Sequence, residues 1–113
     1  MFKVFAYLKK RDDISAEEFR HYYENNHIPL VLSFAPMPKV YKRNYLIRGD
    51  DHNVEDPSID FDVITELVWE DRSGSEEWRR LLGREEIAND EEKFIDRPRT
   101  RAYIVEEGVS APY

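Results

Sequence analysis

The chain has 113 residues, of which 41% are hydrophobic and 36% are charged. This length fits one compact domain, and the net charge of −7 disfavours binding to nucleic acid or to an anionic membrane, because both recruit clusters of basic side chains. The lack of cysteine excludes disulfides and thiolate chemistry. We expect a cytoplasmic protein, since the sequence shows neither a signal peptide nor an apolar run of about 18 residues.

The first third of the chain predicts a strand followed by a helix. Apolar and polar residues alternate over residues 2–8, as on a strand with one buried face. Ser15 and Glu18 have the spacing of a capping box, which predicts that a helix starts there. Pro29 has no backbone N–H to donate, so the helix is predicted to end near His27.

The rest of the chain adds three strands and a second helical region. Alternating patterns predict strands over residues 40–48, 61–70 and 99–106, and Ser73 with Glu76 suggests a second capping box. The order is therefore strand, helix, strand, strand, helix, strand. This order predicts an α+β fold of the ferredoxin-like type, with a four-stranded antiparallel sheet and helices on one face.

The sheet face opposite the helices is predicted to mix apolar and charged residues. Its apolar members are Phe5, Tyr7, Tyr41, Tyr45, Ile47, Ile64 and Val68, and its charged members are Arg43, Asp62 and Glu66. Such a face is too apolar to remain exposed to water, and it carries too many charges to be buried without partners for them. A second copy of the chain that covers it would solve both difficulties, so we expect a homodimer.

Four stretches of the sequence resemble a known family. They are "SAEEFRHYYENNHIPLV" (15–31), "PMPKVYKRNYL" (36–46), "FDVITELVWED" (61–71) and "DEEKFIDRPRTRAYIVEE" (90–107). Together they resemble EthD-like members of the dimeric α/β-barrel superfamily, and the last two resemble the branch found beside polyketide biosynthesis. The resemblance implies one domain over residues 1–107 with a short tail, 108–113, and two sheets that pair as a barrel. It also implies chemistry without a cofactor on aromatic or polyketide-like substrates, within secondary metabolism.

His27 is the first candidate catalytic residue, because it matches the family's His-x-Pro motif. Imidazole can accept and return a proton near neutral pH. The alternative is a structural histidine that caps helix carbonyls and favours the negative end of the helix dipole.

Asp62 and Glu66 are predicted to point the same way on one strand, about 13 Å apart, which is too far for a tight carboxylate pair. Glu66 is expected to form a structural ion pair with Arg43. Two candidate partners are predicted for Asp62, namely His27 and a substrate hydroxyl.

Aromatic residues could line a substrate slot, although aromatics at strand spacing more often form plain core. Tyr45 is the preferred catalytic tyrosine, because Arg43 and Asn44 give it a polar neighbourhood. The predicted substrate-binding residues are Phe5, Tyr7, Tyr23, Tyr41, Arg43, Ile64 and Glu66.

Residues 49–60 form the longest predicted loop, which is rich in aspartate and glutamate. Their spacing fits no calcium loop and no two-histidine zinc pattern, so no metal site is expected. The loop is predicted to be either a lid or a flexible excursion.

The leading functional hypothesis is a cofactor-independent lyase, a dehydratase or dehydratase-cyclase that acts on a hydroxylated cyclic ketone of polyketide origin. His27 would take the proton beside the carbonyl, Tyr45 would polarise the enolate, and Asp62 or the protonated imidazole would protonate the departing hydroxyl. Two alternatives stay open: a cofactor-free monooxygenase of aromatic polyketides, and a non-catalytic protein that binds a reactive intermediate.

Overall fold

The computed structural model describes residues 1–110, which form a four-stranded antiparallel sheet with helices on one face. The strands are β1 (Phe2–Leu8), β2 (Val40–Tyr45), β3 (Val63–Trp69) and β4 (Arg101–Val105). Their order across the sheet is β2-β3-β1-β4, and every neighbouring pair is antiparallel. This topology confirms the predicted ferredoxin-like α+β fold. The expected tail, residues 108–113, lies partly outside the described residues.

The first helical stretch does not end at His27, and that prediction was wrong. It runs as α1 (Ala16–Tyr22), a π-helical segment (Tyr23–His27) and α2 (Ile28–Phe34). In the wider π turn, the Ile28 N–H donates to the carbonyl five residues earlier, on Tyr23. Pro29 then falls in the first turn of α2, directly after the π turn, which accommodates a residue that cannot donate a backbone hydrogen bond. The predicted capping box of Ser15 and Glu18 is confirmed at the start of α1.

The second helical region consists of α3 (Arg72–Leu82), α4 (Glu85–Glu91) and a short 3₁₀ turn (Arg97–Arg99). The second capping box was placed two residues too late, because the cap of α3 is Asp71, whose carboxylate accepts from the Ser73 N–H at 3.0 Å. Across residues 1–110, no helix combines the length and the apolar composition that a bilayer-crossing segment needs.

Two core clusters fill the space between helices and sheet. One is centred on Phe19 and Phe94, and the other on Trp69 and Trp78. Gly74 lets α3 approach the end of β3, because a Cβ atom at this position would lie 2.8 Å from the Trp69 ring. The face of β3 that carries Val63, Thr65, Leu67 and Trp69 is buried, as the alternation predicted.

The facing of β2 differs from the prediction. Tyr41, Arg43 and Tyr45 pair with the core-facing residues Leu67, Thr65 and Val63 of β3. Directly opposed residues in an antiparallel pair share a face, so these three side chains lie under the helices and not on the outer face. Ile47 lies beyond the end of β2 and is 77% exposed. Val40 and Tyr41 are adjacent and both apolar, so each face of β2 begins with an apolar residue. The sequence pattern was therefore compatible with either face of β2 being turned toward the helices.

Candidate active site

A cavity of about 200 Å³ lies between the helices and the sheet, where the two core clusters meet. Its walls are mainly apolar and include Leu8, Val31, Leu67 and Trp78. Its polar groups come from four different elements and include Tyr23, His27, Tyr41, Thr65 and Glu91. An apolar cavity with a few converging polar groups is the usual form of a small-molecule site.

The imidazole of His27 is held by a carboxylate beneath it. Its Nδ1 lies 2.9 Å from Asp90 Oδ2, and the Tyr22 hydroxyl donates to the other oxygen of Asp90 at 2.5 Å. His27 is only 4% exposed and Asp90 7%. Because an ionised carboxylate only accepts hydrogen bonds, Nδ1 carries the proton and Nε2 keeps its lone pair.

The other ring nitrogen of His27 has no partner within the described part of the chain. Among residues 1–110, Nε2 has no hydrogen-bond partner, yet no buried side-chain nitrogen or oxygen there is left without one. Nε2 therefore keeps some accessible surface, and the cavity is the space that His27 lines. Burial lowers the pKa of His27 below its usual 6.5, and Asp90 opposes this shift only in part. The histidine is thus a neutral base near pH 7.

Two tyrosines supply hydroxyl groups on the same side of the sheet. The Tyr23 hydroxyl is 2.8 Å from Thr65 Oγ1, and the Tyr41 ring packs edge-on against Trp78. Burial raises the pKa of Tyr23 to about 12 and also raises the pKa of Tyr41. Both phenols therefore stay protonated, and their hydroxyls also interact with each other.

Glu91 forms part of the opposite wall. It is the last residue of α4, directly after Asp90, and its side chain is 20% exposed. Its nearest cation is Arg97, whose Nε lies 3.9 Å from Glu91 Oε1, beyond hydrogen-bond distance. Burial raises the pKa of Glu91, the Asp90 charge adds to the rise, and Arg97 opposes it. The cavity thus holds a histidine shifted toward its neutral form and a glutamate shifted toward its acid form.

Comparison with known proteins identifies the family. Residues 11–98, most of the chain, match the family model of the EthD domain. The chain belongs to the EthD family. No curated protein matches this EthD domain.

Solved structures share the fold of this EthD protein at low sequence identity. A protein from Arabidopsis thaliana is 12% identical, with a TM-score of 0.70 and coverage of 99% of this chain and 100% of that one. An EthD family protein from Bacillus halodurans is 18% identical, with a TM-score of 0.62 and coverage of 96% and 100%. A dimeric ferredoxin-like protein of unknown function from Thermobifida fusca is 13% identical, with a TM-score of 0.50 and coverage of 92% and 88%.

Tyr45 and Arg43 of the EthD domain contact Glu24 and do not line the His27 cavity. The Tyr45 hydroxyl donates to Glu24 Oε2 at 2.5 Å, and the Arg43 guanidinium donates to both oxygens of the same carboxylate at 2.7 and 2.9 Å. The expected ion pair between Arg43 and Glu66 was therefore wrong. Glu66 lies on the outer face, 3.3 Å from Lys3 Nζ.

Asp62 is bound at the end of the sheet. Its carboxylate accepts from the Lys10 backbone N–H at 2.8 Å and from Lys9 Nζ at 3.3 Å. The pairing of Asp62 with His27 is not observed, since Asp90 holds that position. Asp62 and Tyr45 instead share a separate surface cleft beside α1. A role for either residue toward a substrate stays a prediction.

The remaining predicted substrate-binding residues lie on the outer face of the sheet. Phe5 and Tyr7 are half-buried there, and Ile64 follows on the neighbouring strand. Tyr103 of β4, which was not among the predicted residues, lies opposite Phe5 and is 61% exposed. Tyr7 and Tyr103 contact edge to face, with ring centroids 6.0 Å apart. These side chains point away from the His27 cavity, because neighbouring residues on a strand face opposite sides.

The acidic loop packs on itself. The Asn53 amide donates to the Ile47 carbonyl at 2.6 Å and to Glu55 at 2.9 Å, while the Gly49 N–H donates to Glu55 at 2.6 Å. None of residues 49–60 lines the His27 cavity. No group of three His, Asp or Glu side chains in residues 1–110 has the arrangement of a metal site.

Sequence reasoning missed Asp90, the carboxylate that binds His27, and Glu91, which lines the same cavity. Both fall in "NDEEKF", which reads as a hydrated acidic run. One signal was present: Asp90 and Glu91 are three and four residues after Ile87, so they share its buried helix face. An acidic residue on the apolar stripe of a helix is unusual enough to be a candidate.

Proposed function

We propose that this EthD protein is a cofactor-independent lyase that removes water from a small hydroxylated cyclic ketone of the polyketide type. The observation that carries the proposal is the orientation of His27. Asp90 fixes Nδ1 as the protonated nitrogen, and Nε2 is left with a lone pair at the cavity. A buried, neutral and correctly oriented imidazole is suited to remove a proton from carbon beside a carbonyl group.

The other cavity groups fit the later stages of such a reaction. As Nε2 takes the proton, negative charge develops on the carbonyl oxygen, and the neutral hydroxyls of Tyr41 and Tyr23 can donate hydrogen bonds to it. We assign this contact to Tyr41 and not to Tyr45, because Tyr41 lines the cavity, whereas Tyr45 lies outside it with its hydroxyl bound to Glu24. The C–O bond then breaks, the hydroxyl leaves with one proton as water, and a C=C bond remains in the ring.

The cavity volume favours a small substrate. An apolar cavity of about 150 Å³ accepts benzene, and the cavity beside His27 measures about 200 Å³. We therefore propose a substrate with one substituted ring. In such a ring, loss of water can complete an aromatic system, which drives the reaction forward.

We also propose that two copies of the chain cover each other's outer sheet faces. Phe5, Tyr7 and Tyr103 form an aromatic patch there beside Lys3 and Glu66. Exposed apolar patches rimmed by charged groups are typical of protein interfaces. The Thermobifida fusca relative in fold, described as dimeric, supports the same arrangement.

The proposal can be tested with the hydroxycyclohexanedione that loses water to give resorcinol, whose formation is followed by chromatography. We expect wild-type protein to produce resorcinol and His27→Gln to lose at least ~100-fold in rate, because general acid–base catalysis contributes about that much or more. His21→Gln is the matched control, since His21 lies on α1 of the same helical stretch but is exposed. A His27→Gln protein with the wild-type rate would contradict the proposal.

Two other outcomes of this test favour the alternatives. Binding of the probe with quenching of Trp78 fluorescence but no turnover would favour a binding protein, because Trp78 lines the cavity. Oxygen consumption that accompanies turnover would favour a monooxygenase.

A further inference from the structure

We propose that Glu91 is the proton donor to the departing hydroxyl, so that the site holds a base and a separate acid. This inference rests on the proposed dehydratase function and deepens it. It assigns to Glu91 the role that the sequence divided between Asp62 and the protonated imidazole. Asp62 is bound by Lys9 and Lys10 at the end of the sheet and does not line the cavity.

Asp90 and Glu91 are adjacent in the chain but have different surroundings. The two oxygens of Asp90 are used by His27 and Tyr22. Within the described chain, the Glu91 carboxyl has no hydrogen-bond partner, and its contact with Arg97 is long, at 3.9 Å. Its oxygens also keep accessible surface, since residues 1–110 contain no buried side-chain oxygen without a partner. Asp90 is thus a positioning residue, whereas Glu91 is free to meet a ligand.

The surroundings of Glu91 favour a carboxylic acid that can donate. Burial and the neighbouring Asp90 charge raise its pKa, and the negative end of α4 acts in the same direction. The titratable groups that face the cavity or contact Glu91 from other elements are His27 and Tyr23 of the π segment, Tyr41 of β2 and Arg97 of the 3₁₀ turn. Arg101 of β4 borders the cavity, but its guanidinium donates to the Pro98 and Thr100 carbonyls at 2.7 and 2.9 Å. Of these, Arg97 is the cation that opposes the rise, and it is half-exposed.

With two groups the reaction balances without a co-reactant. His27 Nε2 takes the proton from carbon and becomes imidazolium, and the electron pair of that C–H bond forms the C=C bond. The C–O bond breaks, and the Glu91 carboxyl gives its proton to the hydroxyl, which leaves as water. Glu91 is then a carboxylate and His27 an imidazolium, and one proton exchanged through water restores both.

A substrate with a different leaving group can show whether Glu91 acts as a proton donor or only supports the structure. The hydroxyl leaves only with a proton, whereas the fluorine of the matching fluorocyclohexanedione leaves as fluoride without one. We expect Glu91→Gln to lose ~100-fold or more with the hydroxyl probe and less than about tenfold with the fluoro probe. His27→Gln should lose activity with both probes, because each reaction needs the base. Glu92→Gln is the matched control, since Glu92 is the exposed neighbour of Glu91.

The pH profile gives a second readout. Wild-type activity should fall on the alkaline side as Glu91 loses its proton, and Glu91→Gln should lack this alkaline limb while keeping the acid limb of His27. Thermal unfolding of each variant shows that it is folded.

Three results would overturn the assignment. Glu91→Gln with the wild-type rate on the hydroxyl probe would leave the proposed function intact if His27→Gln is inactive, but would remove Glu91 from it. Equal losses of Glu91→Gln on both probes would make Glu91 a structural residue. Wild-type rates for His27→Gln would remove the proposed function itself, and the role of Glu91 with it.

Discussion

The two faces of the sheet solve different physical problems. On the helix-facing side the polar groups are buried and nearly all are paired, as Asp90 is with His27 and Tyr22. On the outer side, Lys3 and Glu66 form an ion pair that keeps about a fifth of each side chain exposed, next to half-exposed aromatic rings. Groups without a partner on the buried side point into a cavity, which suits catalysis, whereas the mixed outer side suits contact with another protein.

The largest expected difference between the two faces is the loss of stability when the buried carboxylate of Asp90 is removed. Asp90→Ala leaves the His27 imidazole and the Tyr22 hydroxyl without their shared partner, so we expect the free energy of unfolding to fall by about 3 kcal/mol. Glu66→Ala on the outer face should cost less, about 1 kcal/mol, because Lys3 keeps Glu107 as a second partner and the pair remains in contact with water. Urea unfolding of both variants measures the difference, and equal losses would break the contrast between the faces.

The second effect concerns association. Tyr103→Glu places a charge in the aromatic patch of the outer face, so we expect dimer affinity to fall about 30-fold, or about 2 kcal/mol. Light scattering should show wild-type protein at twice the chain mass of 13.6 kDa and the variant shifted toward the single chain. A wild-type protein that remains a stable monomer at micromolar concentration would contradict the proposed dimer.

A smaller effect is expected from one hydroxyl in the cavity. Thr65→Val removes one partner of the Tyr23 hydroxyl with little change of shape, and we expect a loss of about 1 kcal/mol in unfolding free energy. Ile64→Val, the neighbour on the opposite face of β3, is the control for a small side-chain change. Thermal unfolding that ranks Ile64→Val as the more damaging change would argue against a tight polar contact under the helices.

The smallest effect is a dependence of stability on pH. The pKa of His27 is lowered by burial, so the folded protein binds fewer protons than the unfolded chain below pH 6.5. The neutral His27 ring therefore makes its full contribution to the free energy of unfolding above pH 6.5, and this contribution is lost as the pH falls toward the pKa of the folded protein. Unfolding free energies of wild type and His27→Gln should therefore diverge on acidification. Parallel curves for the two proteins would show that His27 is not buried as a neutral ring.

The sequence was sufficient to predict the fold but not the internal contacts of the site. Period-two alternation and the Ser15 cap are local signals, and they identified the strands and the start of α1. The π segment depends on how the chain absorbs Pro29 within a long helix that the core needs, which is a tertiary effect. The facing of β2 depends on its register with β3, which local pattern leaves open when both faces carry apolar residues.

The partners of the charged residues were the least predictable feature. Arg43 was matched with Glu66 because both were placed on one face, but its partner Glu24 comes from the helix above. His27 was found from its motif, whereas Asp90 comes from a helix 63 residues further along the chain. Such pairs form only when the helices pack on the sheet, so they cannot be predicted from the spacing of residues along the chain.

The measurement that tests the central claim most directly is nitrogen NMR of the His27 side chain in protein labelled with ¹⁵N, followed across a pH titration with His27→Gln to assign the signal. We expect a neutral ring at pH 7 with the proton on Nδ1 and a pKa below 6.5, and a shift of the Nε2 signal when the hydroxycyclohexanedione is added. A neutral ring with its proton on Nε2, or a ring that is still doubly protonated at pH 7, would mean that His27 has no lone pair to offer at the cavity, and would contradict its role as the base.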